Sequence, residues 1–275
     1  MSTRSGTIDL HVGDASPHRR QLRPRLARAE LLKLRRRRGL VTLAALLAIA
    51  PMVIGYGISA ILHAQNPAHY GPAGGVENLA GSLGILVTLA GVAAMLVGVT
   101  AGAGDLGAGV FRELAVTGRS RRALFTARIP AGLALVIPLT AAGFAAASLG
   151  SIVFAGTLAR PGAGVLASSL AWVELATCSS FVLALGVSSL VGSHAASIAG
   201  LLAWQLAIAP LIQAASFLGI FREIMPGAAL DRLEPAALHA QSGVPTSLAA
   251  AVLTLAAWTV IPLALGAWRT ISREA

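Results

Sequence analysis

Charge, cysteine and lysine are scarce in this chain, and each shortage excludes a kind of protein or site. Only 12% of the 275 residues are charged, against roughly 25% in soluble domains. The single cysteine, Cys178, excludes a disulfide within the chain and a cysteine-rich metal site. The single lysine, Lys33, is followed by Leu34 and Arg35 instead of standing in the glycine-rich phosphate loop of an ATPase. The chain therefore has no Walker A motif.

Other catalytic constellations are also missing. The six histidines lie outside the apolar runs or at their ends, so they indicate neither a serine–histidine pair inside a membrane nor a zinc site. The pairs Ser179-Ser180 and Ser188-Ser189 are typical of helix packing instead. We expect no catalytic site, metal or cofactor on this chain.

What the chain has in abundance is apolar sequence, with 56% hydrophobic residues and a mean hydropathy of +0.76. A helix needs about 20 apolar residues to cross a bilayer, and six runs are that long. They do not alternate in polarity as barrel strands would. The sequence predicts an all-α membrane protein, and residues 40–275 form its six-span domain. The predicted spans are 40–62, 79–101, 129–154, 165–191, 195–218 and 247–268.

Basic residues predict which way these spans run. Eighteen of the 21 Lys and Arg residues fall in the tails and in the segment 102–128, whereas the loops between the other span ends hold only three. Because basic loops stay in the cytoplasm, both termini are expected there. The outward loops are 63–78, 155–164 and 219–246, and the last of these is expected to form short helices or re-entrant turns.

The N-terminal region carries eleven of the basic residues before position 40. That charge, and the late start of the first run, predict a retained helix instead of a cleaved signal. We expect a disordered basic tail over 1–24 and an amphipathic interfacial helix over 25–39, with Ala27, Leu31 and Leu34 on its apolar face and Leu32 beside them. Its basic side would attract anionic lipid, and a merely solvated topology signal is the alternative. The pI near 11.5 is interpreted in the same way, and no nucleic-acid binding is expected.

Glu174 is the only charged side chain within the six runs. A carboxylate in hydrocarbon is costly unless it faces a polar cavity or is protonated. Glu174 is therefore a candidate for a translocation path together with Thr177, Gln205 and Gln213. The alternative is a structural carboxyl that clamps its helix to the fifth span through Gln205 or Gln213.

Glycine and proline inside the runs predict close contacts and kinks. Gly91, Gly98 and Gly102 would let the second span approach another helix closely. The span prolines predict kinks where neighbouring helices satisfy the freed carbonyl groups. These prolines are Pro51, Pro130, Pro138, Pro210 and Pro262.

The segment 104–122 is the one internal stretch that is dense in charge. Val110, Phe111 and Leu114 fall on one side of a short helix, with Arg112 and Glu113 toward water, and Thr117-Gly118 ends it. The alternative is a basic loop that only sets the topology. Such a loop would need neither the apolar face nor the two acidic residues, Asp105 and Glu113.

This segment resembles the cytoplasmic motif of ABC-2 type permeases, the membrane subunits of ATP-binding-cassette transporters. The motif runs from an acidic residue and glycine, through a short helix, to a Ser-Arg turn and a basic residue entering the third span. Asp stands where Glu is more usual, and Arg where Lys is common. The matching residues are Asp105, Gly109, Arg112, Leu114, Gly118, Arg119, Ser120, Arg121 and Arg128.

The resemblance implies that this helix docks on a separate ATPase subunit, which supplies ATP and magnesium. It also implies a second permease chain, identical or related. The residues expected to couple the chain to the ATPase are Asp105, Phe111, Arg112, Glu113, Arg119 and Arg121. The sequence does not choose among amphiphilic drugs, lipids and peptides as the exported substrate.

Two other functions remain open from the residues. A proton-coupled secondary transporter would use Glu174 and would predict broken helices repeated in two halves, which the sequence does not show. A non-transporting membrane scaffold is the other. The preference for Arg over Lys, with abundant Ala and Gly, indicates a GC-rich bacterial genome and thus a bacterial plasma membrane.

Overall fold

The computed structural model describes residues 16–107, 121–238, 244 and 246–272, with the side chains of all of these except 16–24 and 105–107. The described chain is helical and contains no strand. Two non-α turns, a π-helical turn at Trp204–Ile208 and a 3-10 turn at Ser216–Leu218, interrupt it. The α-helices are α1 (Ser16–Arg36), α2 (Arg38–Gln65), α3 (Val76–Gly107), α4 (Arg121–Val153), α5 (Ala163–Val191), α6 (His194–Ala203), α7 (Ala209–Ala214), α8 (Ile220–Glu223), α9 (Pro226–Leu233) and α10 (Leu248–Ser272).

Within the described residues, six helical stretches are long and apolar enough to cross a membrane. They are α2, α3, α4, α5, α10 and the continuous stretch His194–Ala214 formed by α6, the π-helical turn and α7. The all-α class and the number of long apolar helices are therefore confirmed. The third membrane-length helix, α4, begins at Arg121, whereas the third apolar run was predicted to begin at 129. Its first two turns pack against other helices, so they form a helix without being apolar throughout.

α1 differs from the predicted interfacial helix in its start and in its buried face. It begins at Ser16, before the expected position 25, so residues 16–24 belong to the helix and not to the tail. Leu34 is buried against the bundle, and Leu26 packs with Leu124 and Ala127 at the start of α4. Leu32, expected beside the apolar face, is 57% exposed. The apolar side of α1 thus packs mainly on protein, whereas its exposed side carries the basic residues.

α3 is the central helix of the bundle and packs along α2, α4 and α5. A methyl group at Gly98 would lie 2.6 Å from the Phe181 carbonyl oxygen, and one at Gly102 would lie 2.8 Å from that of Leu185. These contacts leave no room for a side chain, so the predicted close approach of the second span is confirmed, with α5 as the partner. Ser188 and Ser189 are buried in the same contact, as expected of packing serines.

α5 also packs closely against α10. A methyl group at Gly186 would lie 2.4 Å from the carbonyl carbon of Pro262, and one at Gly266 would lie 2.5 Å from the Gly186 oxygen. Arg269 of α10 donates to the Leu190 carbonyl near the end of α5. Glycine and one cation therefore fix two helices side by side.

One end of the bundle gathers the connections that the sequence predicts to face outward. The Gly75 N–H donates to Ser151 O at 2.9 Å and the Val76 N–H to Ala159 O at 3.1 Å, which ties the start of α3 to the end of α4. The last long connection forms the short helices α8 and α9, as expected from its sequence. Trp172 of α5 donates its indole N–H to Leu230 O of α9 at 2.9 Å, so α9 lies over this end.

Candidate functional site

Beneath α9 the helices border a partly open cavity of about 220 Å³. Its walls come from α3, α5 and α10 and from the stretch His194–Ala214, and α9 closes its end. The polar side chains that line it are Thr88, Ser179, Ser180, Gln205, Gln213 and Thr259. No charged residue of the described chain lines this cavity.

The π-helical turn Trp204–Ile208 sets the positions of Trp204 and Gln205 in the cavity wall. In this turn the Ala209 N–H donates to Trp204 O, one residue further along than in an α-helix. Pro210 follows at once and has no N–H to donate. The α-helices continue past the other four span prolines, whereas the π-helical turn beside Pro210 lies at the cavity.

Two stacked indoles form the inner part of the wall. The Trp204 and Trp258 rings lie 5.2 Å apart with an angle of 29° between their planes. Trp258 also donates its Nε1–H to Ile224 O at 2.8 Å. This indole therefore joins α10 both to the fifth span and to the connection before α9.

The outer boundary of the cavity is held by backbone contacts. Arg222 donates from Nε to Gln213 O at 2.6 Å. A methyl group at Gly227 would lie 2.1 Å from Gln213 Nε2, so α9 packs directly on this amide, and a larger residue at this position would require the Gln213 side chain to move. The Gln213 side chain of α7 thus packs against α9, the helix that covers the cavity.

The hydroxyl groups of the cavity have already used their protons. Ser179 and Ser180 both donate to Ala176 O at 2.9 Å, Thr88 donates to Gly84 O at 3.0 Å, and Thr259 donates to Leu255 O at 2.9 Å. A hydroxyl that donates once keeps its oxygen as an acceptor. The hydroxyls therefore offer acceptors to a bound molecule.

The side-chain amides of Gln205 and Gln213 hydrogen-bond to no described residue. A methyl group at Gly91 would lie 3.5 Å from Ser180 Oγ and 3.8 Å from Gln205 Nε2, so the small residue of α3 leaves both groups uncovered. The two amides can each donate and accept.

The four predicted path residues do not lie together. Gln205 and Gln213 line the cavity, whereas Thr177 is fully buried and donates to Val173 O at 3.0 Å. Glu174 does not line the cavity either. Ser179 and Ser180 of the same helix do line the cavity, although Thr177 lies within one turn of them.

Both carboxyl oxygens of Glu174 are buried and have no hydrogen-bond partner among the described residues. The structural alternative, a clamp from Glu174 to Gln205 or Gln213, is therefore not formed. A buried carboxyl without partners loses its hydration without compensation, so Glu174 remains a candidate for proton binding.

Most of the predicted coupling segment lies outside the described residues, including Phe111, Arg112, Glu113 and Arg119. The backbone of Asp105 continues α3, and Arg121 is partly exposed as the first described residue of α4. Where the chain is described, Arg128 is 2% exposed and donates from Nη1 to Gly102 O at 3.2 Å. A buried cation thus ties together α3 and α4, the helices on either side of the coupling segment 104–122.

The sequence reading missed several residues of the cavity. Ser179 and Ser180 were expected to pack helices, yet they line it, and Trp204 and Trp258 carried no signal because they are far apart in the chain. The polarity of Gln205 and Gln213 in an apolar run was the one usable signal, and it located one wall.

A comparison of the chain with protein-family models and with curated proteins finds no match. Among the described residues, no group of three or more His, Cys, Asp and Glu side chains is arranged to hold a metal ion. The fold and the cavity therefore define a helical protein of membrane-spanning character with an uncharged cavity that has polar side chains in its wall.

Proposed function

We propose that this chain is the permease subunit of an ABC exporter, moving an amphiphilic substrate with ATP hydrolysed by a separate subunit. The observation that carries the proposal is the uncharged, polar-lined cavity inside a bundle of six membrane-length helices. Polar groups are costly inside a bilayer and are usually placed where a solute passes or binds. An amphiphile can satisfy them while its apolar part stays among the helices.

The sequence and the environment of Lys33 in α1 both favour an energy source on another chain. Lys33 is the single lysine, and it pairs with Glu30 on the same helix at 3.2 Å. A phosphate loop would need a lysine free to reach the β and γ phosphates. In this proposal the ATP, its magnesium ion and the Walker A loop all belong to the partner ATPase.

The coupling segment is connected to the cavity through packed helices. Arg128 joins the start of α4 to Gly102 of α3, and Gly102 in turn packs against Leu185 and Ser188 of α5. α3 and α5 both contribute to the cavity wall. A displacement of the segment 104–122 by the ATPase would therefore be transmitted to two of the cavity walls, because the residues between them are closely packed.

The rest of the proposed assembly follows the resemblance to ABC-2 type permeases. A second permease chain, identical or related, completes the transporter in a bacterial plasma membrane, with both termini cytoplasmic. α1 lies at the inner surface, where Arg25, Arg28 and Arg35 are exposed and can attract anionic lipids.

The test exchanges the charges of the coupling helix in the double variant Arg112→Glu, Glu113→Arg. We expect it to insert in the membrane as the wild type does, but to lose the co-purifying subunit that carries Walker A and to lower ATP-dependent uptake into inverted vesicles at least tenfold. The reason is that each reversed charge would face a group of the same sign on the unaltered ATPase and be repelled by it. Uptake is measured with a panel of radiolabelled amphiphilic drugs, lipids and peptides, and the subunit is identified by mass spectrometry.

Arg112→Lys with Glu113→Asp is the matched control, because it keeps both charges. Normal ATPase recovery and normal uptake by the charge-exchanged variant would contradict the coupling role of this helix.

The buried, unpartnered carboxyl of Glu174 favours a second candidate, proton-coupled transport. Dissipating the proton gradient separates the two functions in the same vesicles. Uptake that stops with an uncoupler and persists without ATP would favour Glu174, and a lack of any uptake together with normal lipid binding would favour a scaffold.

A further inference from the structure

The polar cavity has an apolar neighbour. α4, α5, α9 and α10 enclose a groove of about 440 Å³ whose walls are mainly leucine and valine side chains, such as Leu133, Val182 and Val260. Ser179, Leu255 and Thr259 line both the groove and the cavity. The two spaces therefore adjoin at these three residues, and one molecule that occupied both would pass beside them.

The hydrogen-bond capacity of the cavity selects the head group. Its four hydroxyls have donated their protons to their own helices and can only accept further bonds, while the amides of Gln205 and Gln213 can do both. Acceptors outnumber donors, so a matching head group must bring O–H or N–H donors. A phosphate or carboxylate would find no cation, and an ammonium group no anion, among the described lining residues.

The size of the cavity limits the head group further. A buried cavity of about 150 Å³ holds benzene, with six carbon atoms. By proportion, about 220 Å³ accommodates roughly nine non-hydrogen atoms, most but not all of the roughly twelve in a hexose, so a hexose head group would reach past the cavity to the junction with the groove.

We propose that the cavity and the groove together bind one uncharged amphiphile, with a hydroxyl- or amide-bearing head under α9 and an alkyl chain between α4, α5 and α10. Gln205 and Gln213 bond the head, and Thr259 stands at the junction with the chain. That this molecule is the exported substrate rests on the proposed function; that it binds here does not.

The test measures binding to the purified chain in lipid nanodiscs without any ATPase, with empty nanodiscs as background. The probes are octyl glucoside, octyl phosphate and octylammonium, which differ only in the head, and methyl glucoside, which lacks the long chain. The fluorescence of the cavity indoles Trp204 and Trp258 reports occupancy. We expect octyl glucoside to bind at least tenfold more tightly than each of the other three.

Neighbouring alanines of α10 provide a matched pair of variants. Ala256 lines the groove, whereas the exposed Ala257 lines neither space. Ala256→Phe should weaken octyl glucoside binding at least fivefold, and Ala257→Phe should leave it unchanged. Gln205→Leu and the nearly isosteric Thr259→Val should each weaken it at least threefold, and Thr259→Val serves if a larger change prevents folding.

Equal affinity for the three octyl probes would overturn the proposal, because the groove would then hold any bilayer chain. Absence of saturable octyl glucoside binding, or equal binding by both alanine variants, would overturn it as well. Lost binding with intact ATP-coupled uptake contradicts this site alone, whereas intact binding with failed coupling contradicts the proposed export function alone.

Discussion

At the scale of single residues, glycine decides how closely the two central helices approach. The backbone oxygen of Phe181 occupies the position that a side chain at Gly98 would need. Packed interiors cannot absorb such an extra group without moving the backbone. The close contact between α3 and α5 therefore requires residues without a Cβ atom, which only glycine provides.

We expect Gly98→Ala to destabilise the folded chain by about 1–3 kcal/mol, because it overpacks the contact with α5. Gly84 lies on the same helix with nothing within 4 Å of its missing side chain, so Gly84→Ala should stabilise by up to about 1 kcal/mol through helix propensity. Thermal unfolding in detergent measures both. Equal effects of the two changes would show that α3 and α5 are further apart than described.

Single residues also show what the sequence could and could not predict. The spacing of Gly98 and Gly102 indicated a close helix contact because small residues every four positions form one strip on a helix. The same spacing does not name the partner, and Ser179 and Ser188 look alike in sequence although one lines a cavity and the other is packed. Which face of α5 meets α3 and which meets the cavity is set by tertiary packing.

At the scale of elements, α1 is attached to the bundle through a narrow strip of its surface. Leu34 is 2% exposed and Leu32 is 57% exposed, although both are leucines of one helical turn. The helical period correctly predicted an apolar face with Leu31 and Leu34. Leu32 lies outside the strip that packs on protein, so its predicted place beside the apolar face stays a prediction about contact with lipid.

Leu34→Ala should cost about 2–5 kcal/mol, as for other large side chains removed from a core, and should release α1 to proteolysis. Leu32→Ala should cost less than about 1 kcal/mol, because little of this side chain leaves water or lipid on folding. Limited trypsin digestion at the arginines of α1, together with unfolding curves, checks both variants. Greater sensitivity of Leu32→Ala would mean that the lipid-facing side holds the helix.

The fifth span was predicted as one apolar run, and the helical stretch His194–Ala214 covers most of that region. The π-helical turn that interrupts this stretch was not predicted. A π-helical turn arises from a shift of hydrogen bonding by one residue, and apolar periodicity is too coarse to register that shift. Pro210 was the one local signal. The cavity could not be located from sequence, since its walls come from five separated stretches of chain.

At the scale of the whole molecule, the distribution of charge predicts how the bundle sits in a membrane. The ends of α2 and α4 lie together with α9 at one end of the bundle, and that end carries few of the basic residues. Because basic segments stay in the cytoplasm, this end should face outward, with α9 on the outer side of the cavity.

Cysteine labelling can test this orientation in a Cys178→Ala background. Single cysteines at the exposed positions Ala68 and Thr157 should react with a membrane-impermeant maleimide in intact cells. A cysteine at Ser272 should react only after the cells are permeabilised. The reverse pattern would contradict the orientation and place the coupling segment on the wrong side for ATP.

The covering helix α9 and the residues just before it are held by side chains that donate hydrogen bonds to main-chain oxygens. Trp172 bonds to Leu230 O, Trp258 bonds to Ile224 O and Arg222 bonds to Gln213 O. Because each acceptor is a main-chain oxygen, none of these bonds depends on the side chain of the accepting residue. Ile224 and Leu230 can consequently be replaced by other residues while these hydrogen bonds are kept. The shape of the site can therefore change, in evolution or by mutagenesis, without loss of the bonds that hold α9 in place.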